Sequence, residues 1–240
     1  MMRNFVCLAL AWTAVAQVPS VPRNWVANET LTLIAQGQAK SQTVIHYYDL
    51  DNNRTRVEDD QGGLTVSLYY PKYKQMDVDP KTMQCIKYCS LCDQGICDDL
   101  PPLIDEDATD AGPLMIFGKQ VQIAQVRQKI FGVLTLELDS IYVDITNASS
   151  PTPVAEQDVI NPPFFPAGMQ VYADTTWADF RAQNFAKDEA KFAVKGVDTC
   201  KKASFLECNG VAHQLRRVRD NAYHSYARYL KPAGVDSVHV

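Results

Sequence analysis

The chain has 240 residues, 46% of them hydrophobic and 21% charged, with 28 acidic against 23 basic side chains and a formal net charge of -5. That balance is globular and excludes a disordered tail or a low-complexity fibre. It also excludes binding to bulk nucleic acid through a basic surface, and no run of about 18 apolar residues is present to span a membrane as a helix.

Residues 1–16, MMRNFVCLALAWTAVA, read as a secretory signal peptide. Arg3 makes a short basic start, Phe5 to Ala16 is apolar except for Thr13, and Ala14-Val15-Ala16 is a small-x-small cleavage pattern before Gln17. Cleavage would remove Cys7 and leave Cys85, Cys89, Cys92, Cys97, Cys200 and Cys208, an even set that suits an oxidising compartment. Sequons begin at Asn28, Asn53 and Asn147, and together with the leader they predict a glycosylated surface.

Downstream, residues 17–150 read as an antiparallel β domain. Val44, His46 and Tyr48 alternate with Ile45 and Tyr47, and Leu64, Val66, Leu68 and Tyr70 with Thr65, Ser67 and Tyr69. Such a period of two predicts a sheet with one covered face. Asp49-Leu50-Asp51-Asn52-Asn53 starts like a calcium loop, but Arg54 stands where glycine is required and Asp60 where glutamate is required. The segment therefore predicts a hairpin turn.

The cluster Cys85-x3-Cys89-x2-Cys92-x4-Cys97 has the thiols for one zinc, but its spacing is not that of a paired CxxC ribbon. Secretion favours structural disulfides, some local and some tied to Cys200 and Cys208, over zinc or redox chemistry; the pairing stays open. Residues 98–112 form an acidic, proline-rich loop in which Asp105, Glu106, Asp107 and Asp110 are either solvated or loose calcium ligands. Further on, Leu134, Leu136 and Leu138 change parity to Ile141, Val143 and Ile145, which predicts a turn or bulge at Asp139-Ser140.

Residues 151–234 read as a proline-rich connection followed by helices packing on the same domain. Trp177, Phe180 and Phe185 predict a helix capped at Asp174 or Thr175, reaching about Val194 and ended by Gly196. Val211, Leu215, Val218 and Ala222, joined by Tyr226, Tyr229 and Leu230, predict a second helix before Pro232; residues 235–240 are a tail. The expected class is thus α+β, with a curved antiparallel sheet or two stacked sheets and C-terminal helices.

No G-x-S-x-G, H-E-x-x-H or phosphate-cradling glycine loop occurs, so no catalytic site is expected. His46 falls in a strand; His213 and His224 fall beside Arg216, Arg217 and Arg219 on the last helix, and His239 in the tail. Tyr47, Tyr48, Tyr69, Tyr70, Tyr73, Phe164, Phe165, Trp177 and Phe180 either fill a core or line a cavity for a lipid-like ligand.

The stretch Tyr47-Tyr48-Asp49-Leu50-Asp51-Asn52-Asn53-Arg54-Thr55-Arg56-Val57, then Tyr69-Tyr70-Pro71, Met76-Asp77-Val78-Asp79 leading to Cys85, and finally Trp177-Ala178-Asp179-Phe180 resemble the ependymin-related proteins over about residues 40–185. The domain of that family resembles the bacterial lipoprotein-carrier, LolA-like fold. The resemblance implies a secreted or lysosomal glycoprotein with a hydrophobic pocket, apolar ligands, an optional calcium ion and no catalytic centre. Cys89, Cys92, Cys97 and the extension after Gly196 depart from the family pattern. The expected function is non-catalytic binding of a hydrophobic or lipid-like molecule in a β-sheet cavity. The competing expectation is an extracellular adhesion protein with calcium-sensitive self-association.

Overall fold

The computed structural model describes residues 18–35, 38–92, 99–104, 108–116, 119–130, 134–147, 149–160, 171–204 and 207–208. Its strands are β1 (Asn24–Ala35), β2 (Gln38–Asp49), β3 (Arg54–Asp59), β4 (Leu64–Leu68), β5 (Lys74–Val78), β6 (Cys85–Ser90), β7 (Thr109–Ile116), β8 (Lys119–Ile130), β9 (Leu134–Asp144), β10 (Thr152–Ile160), β11 (Val171–Ala182) and β12 (Lys201–Lys202). They form one sheet in the order β12-β6-β5-β4-β3-β2-β1-β11-β10-β9-β8-β7. Two antiparallel meanders, β1 to β6 and β7 to β11, meet along β1 and β11, while β12 lies parallel to β6 at one edge.

Alternation along the strands sorts side chains onto two faces. Trp25 lies opposite Tyr48, Ala27 opposite His46, and both Tyr48 and His46 face β3 through Thr55 and Val57; all six are buried. On this face Trp25, Tyr48 and Trp177 pack with Ile141 and Val143 and with Leu100 and Leu103 from the loop between the meanders. The other face carries the row Tyr47, Arg56, Val66, Met76 and Tyr88 across five strands. There Leu64, Val66, Met76 and Val78 are covered by Phe185 and Phe192.

The α+β expectation is corrected. Residues 171–182 are strand β11, and the expected helix over 174–194 is replaced by that strand and two 3-10 turns, Phe185–Lys187 and Glu189–Lys191. A β-bulge explains the misleading spacing: Val26 pairs with Arg181 but Asn28 pairs with Ala178, so two residues of β11 stand opposite Ala27. The extra residue, Asp179, has φ of 54°. Trp177 and Phe180 thereby share the Trp25 face at a separation of three, which imitates a helical period. Gly196 does adopt a left-handed φ of 73°, in a turn and not at a helix end. The second expected helix, the tail and residues 1–16 lie outside the described residues, and a single sheet stands where two stacked sheets were the alternative.

No turn interrupts β9 at Asp139-Ser140; the register slips where Gln128 pairs with Glu137 and Lys129 with Thr135. Pro153 lies at the start of β10 beside another slip, a place where the missing N–H is tolerated. Disulfides Cys85–Cys200 and Cys89–Cys208, with Cα separations of 5.7 and 5.4 Å, fasten the C-terminal segment to β6. Cys92 is disulfide-bonded as well, and Cys97 lies outside the described residues.

Candidate ligand groove

The hairpin between β2 and β3 builds one corner of a groove. Its chain turns through a 3-10 turn, Leu50–Asn52, and Asn53 takes the left-handed conformation that asparagine tolerates. Asp49, fully buried, locks the turn from inside by accepting bonds from Asn52 Nδ2 at 2.9 and 3.0 Å and from Arg54 Nε at 2.7 Å. Leu50, Asp51 and Asn53 are left facing the groove.

Two remote segments are pinned to that corner. Asp51 accepts from Arg23 Nε at 2.8 Å and Asn24 Nδ2 at 2.6 Å, which holds residues 18–23 as a second wall. Those two bonds, the arginine's first, hold the Asp51 carboxyl below the usual carboxylate range. Asn53 Oδ1 accepts from the Leu100 amide at 3.1 Å, its Nδ2 donates to Asp99 at 3.3 Å, and the Tyr48 hydroxyl donates to the Pro101 carbonyl. Together they hold residues 99–104 as the third wall.

Between the walls is an open groove of about 910 Å³. Val18, Pro19, Val21, Pro22, Leu50, Leu100, Pro102, Leu103, Ile104 and Ala108 bring apolar side chains to it, and Ser20, Arg23, Asp51, Asn53 and Asp99 bring polar ones; slightly more than half of the surface it exposes is polar. Leu100 and Leu103 form the floor because their other side rests on the aromatic layer. In that layer Trp25 stacks on Tyr48 with centroids 4.9 Å apart, and on Phe180 at 5.1 Å. Below the stack, His46 Nδ1 lies 2.8 Å from Glu29 Oε2, and Trp177 Nε1 donates to the same oxygen at 3.1 Å. Neither His46 nor Glu29 belongs to the groove lining. Among the described residues the lining has no histidine or cysteine; its polar groups are those of Ser20, Arg23, Asp51, Asn53 and Asp99.

The other expected site residues are dispersed. Asn28 lies on the outward face of β1 and donates to Asp179 at 2.8 Å, Asn147 is exposed in a turn, and Asn53 is a groove residue with both amide atoms engaged. Of the acidic loop, Asp110 accepts from the Gly112 amide at 2.7 Å and from Gln122, while Asp105, Glu106 and Asp107 lie outside the described residues. His213, His224, His239 and the arginines beside them also lie outside. Of the aromatic residues expected either to fill a core or to line a cavity, Tyr48, Trp177 and Phe180 pack with Trp25, Tyr69 packs against the same cluster, and Phe164 and Phe165 lie outside the described residues; the groove lies beside that cluster at the hairpin end. Sequence reading missed Leu100, Leu103 and Ile104; three large aliphatic residues in an otherwise acidic loop were the available signal.

No protein-family model and no curated protein matches this chain. Among solved structures it is similar to an uncharacterised conserved protein from Thermus thermophilus, at 15% identity and a TM-score of 0.41, over 76% of this chain and 90% of that one. A DUF1329 family protein from Desulfovibrio piger matches at 12% identity and a TM-score of 0.39, over 73% and 92% of the two chains. A LolA superfamily protein from Nitrosomonas europaea matches at 9% identity and a TM-score of 0.34, over 71% and 90%. At these values none of the three transfers a ligand or a residue role to this chain. An ependymin relation is not shown by any of them.

Proposed function

We propose that this protein is a non-catalytic carrier or sensor that holds an amphiphile, with its apolar chain in the groove and its polar end at the rim. The observation that carries this reading is a groove of about 910 Å³ with apolar residues at ten of its fifteen lining positions and a surface of mixed polarity, whose walls are fixed by hydrogen bonds that Asp51 and Asn53 accept and Tyr48 donates. Fixed walls lower the ordering cost of binding, and each buried methylene contributes about 0.8 kcal/mol. Two long-range disulfides favour an oxidising compartment, so the reading includes export with removal of residues 1–16, and glycans on the outward-facing Asn28 and Asn147.

The test is titration with uncharged N-phenyl-1-naphthylamine, whose fluorescence rises in apolar surroundings. Saturable uptake is expected, and Ile104→Trp, which fills the groove from its wall, should weaken it about ten-fold or more while the protein still melts as the parent does. Absence of uptake, or unchanged uptake by Ile104→Trp, would remove the groove from the function.

A further inference from the structure

Resting on the reading of the groove as an amphiphile site, we infer that Glu189, on the opposite face of the sheet, is a positioning residue for the groove and acts on it through Arg54 and the β2–β3 turn. Strand parity divides that turn between the two faces. Asp49 pairs with Arg54, two residues from the Tyr47–Arg56 pair, so both side chains belong to the face that Phe192 covers. Leu50, Asp51 and Asn53, which lie between them in sequence, line the groove on the Trp25 face. The link is short and closed: Asn52 Nδ2 donates to both Asp49 oxygens, and the Asn53 amide donates to the Leu50 carbonyl at 3.2 Å. A shift of the Asp49–Arg54 pair is therefore passed on to the groove corner. What holds Arg54 comes from 135 residues away, where the two Glu189 oxygens accept from Nη1 and Nη2 at 2.7 and 2.8 Å and fix the guanidinium plane. The segment that carries Glu189 is itself tied to β6, because the Lys195 carbonyl accepts from the Cys85 amide at 2.9 Å and Cys85 is bridged to Cys200. Glu189 is not among the groove-lining residues, so its removal takes no contact from a ligand and changes affinity only by freeing the turn.

Titration with N-phenyl-1-naphthylamine reads the effect, because an uncharged probe does not respond to the loss of a distant charge. Glu189→Ala should weaken uptake about two- to five-fold, the range that one surface ion pair supports. Glu207→Ala should leave it unchanged; that carboxylate lies in the same C-terminal segment, but its hydrogen bonds go to Ser204. Asn53→Gly keeps the left-handed backbone and drops the bonds to Asp99 and Leu100, so beside it Glu189→Ala should lose most of its effect. Linkage supplies a check that needs no substitution: saturating the parent protein with the probe should slow amide exchange at Lys191 and Phe192, which donate to the Asp188 and Glu189 carbonyls, by about the same factor. Parent affinity in Glu189→Ala, an equal loss in Glu207→Ala, a full effect beside Asn53→Gly, or exchange indifferent to the probe overturns the inference and leaves the groove reading standing. Absence of uptake by the parent protein overturns both.

Discussion

Arg54 shows how much one side chain can connect. Its Nε donates to the buried Asp49 at 2.7 Å, and its two terminal nitrogens donate to Glu189 at 2.7 and 2.8 Å. The guanidinium also lies 4.3 Å from the centre of the Phe192 ring. One residue therefore balances a buried carboxylate, fastens the C-terminal loop and covers a core phenylalanine. Arg54→Ala should cost about 3 kcal/mol, the lower end for breaking a buried pair, because Asn52 still donates to Asp49. Arg54→Lys should recover little of it, since one ammonium group cannot reproduce a planar fork serving two carboxylates. Urea unfolding of both variants measures this, and a lysine variant as stable as the parent would show that charge alone suffices. The turn around Asp49 was readable from Asp and Asn in sequence; the contact with Glu189 was not, because 135 residues separate the partners and no local pattern encodes it.

At the level of elements, alternation was a sound guide wherever the ladder was regular and failed where it was not. β2, β3 and β4 pair without a slip, and their inward residues can be picked from the sequence by counting in twos. In β11 the bulge inserts one residue, the count becomes three, and Trp177 with Phe180 reads as a helix. The bulge has its own energetic signature, because Asp179 sits at φ of 54° and accepts a bond from Asn28 at 2.8 Å. Asp179→Gly loses that bond and relieves the backbone, so it should be close to neutral. Asp179→Val loses the same bond and adds a branched side chain to a left-handed residue, which should cost about 1–2 kcal/mol more than glycine. The difference between the two melting curves isolates the backbone term. If valine were tolerated as well as glycine, the bulge would not be at Asp179 and the account of the false helical period would fall with it.

Across the whole molecule, distant segments are held by contacts that sequence cannot pair in advance. The groove needs residues 18–23, 50–53 and 99–104 with Ala108 together, stretches that look unrelated until the sheet brings them to one end. Several of the contacts between such segments involve ionised carboxylates, and they give the fold a signed dependence on pH. Arg23 and then Asn24 lower the Asp51 carboxyl, bonds from Thr146 and then Lys119 lower Asp144, and Arg54 lowers Glu189. A carboxylate lowered in the folded state adds stability that is present above its unfolded value near pH 4 and is lost as the pH falls through the folded value. Asp77 has the opposite sign: burial raises it, against the opposing pull of Lys87, so protonation relieves a cost as the pH falls. Amide bonds from Lys81 and then Thr82 lower Asp79, and bonds from Ser204 lower Glu207, so five losses against one relief predict a Tm that is level from about pH 8 to pH 5 and falls below about pH 4. Because Asp51 and Glu189 are exposed and lowered by arginine partners, about 0.5 M salt should flatten the acid limb. Asp77→Asn, which removes the opposing group, should steepen it. Thermal unfolding followed by circular dichroism at half-unit steps of pH provides the readout. A Tm that rises between pH 5 and pH 3 would mean that burial of Asp77 outweighs the surface pairs. The wall of residues 99–104, held through Asn53 and Tyr48, does not depend on the Asp51 pair that holds residues 18–23.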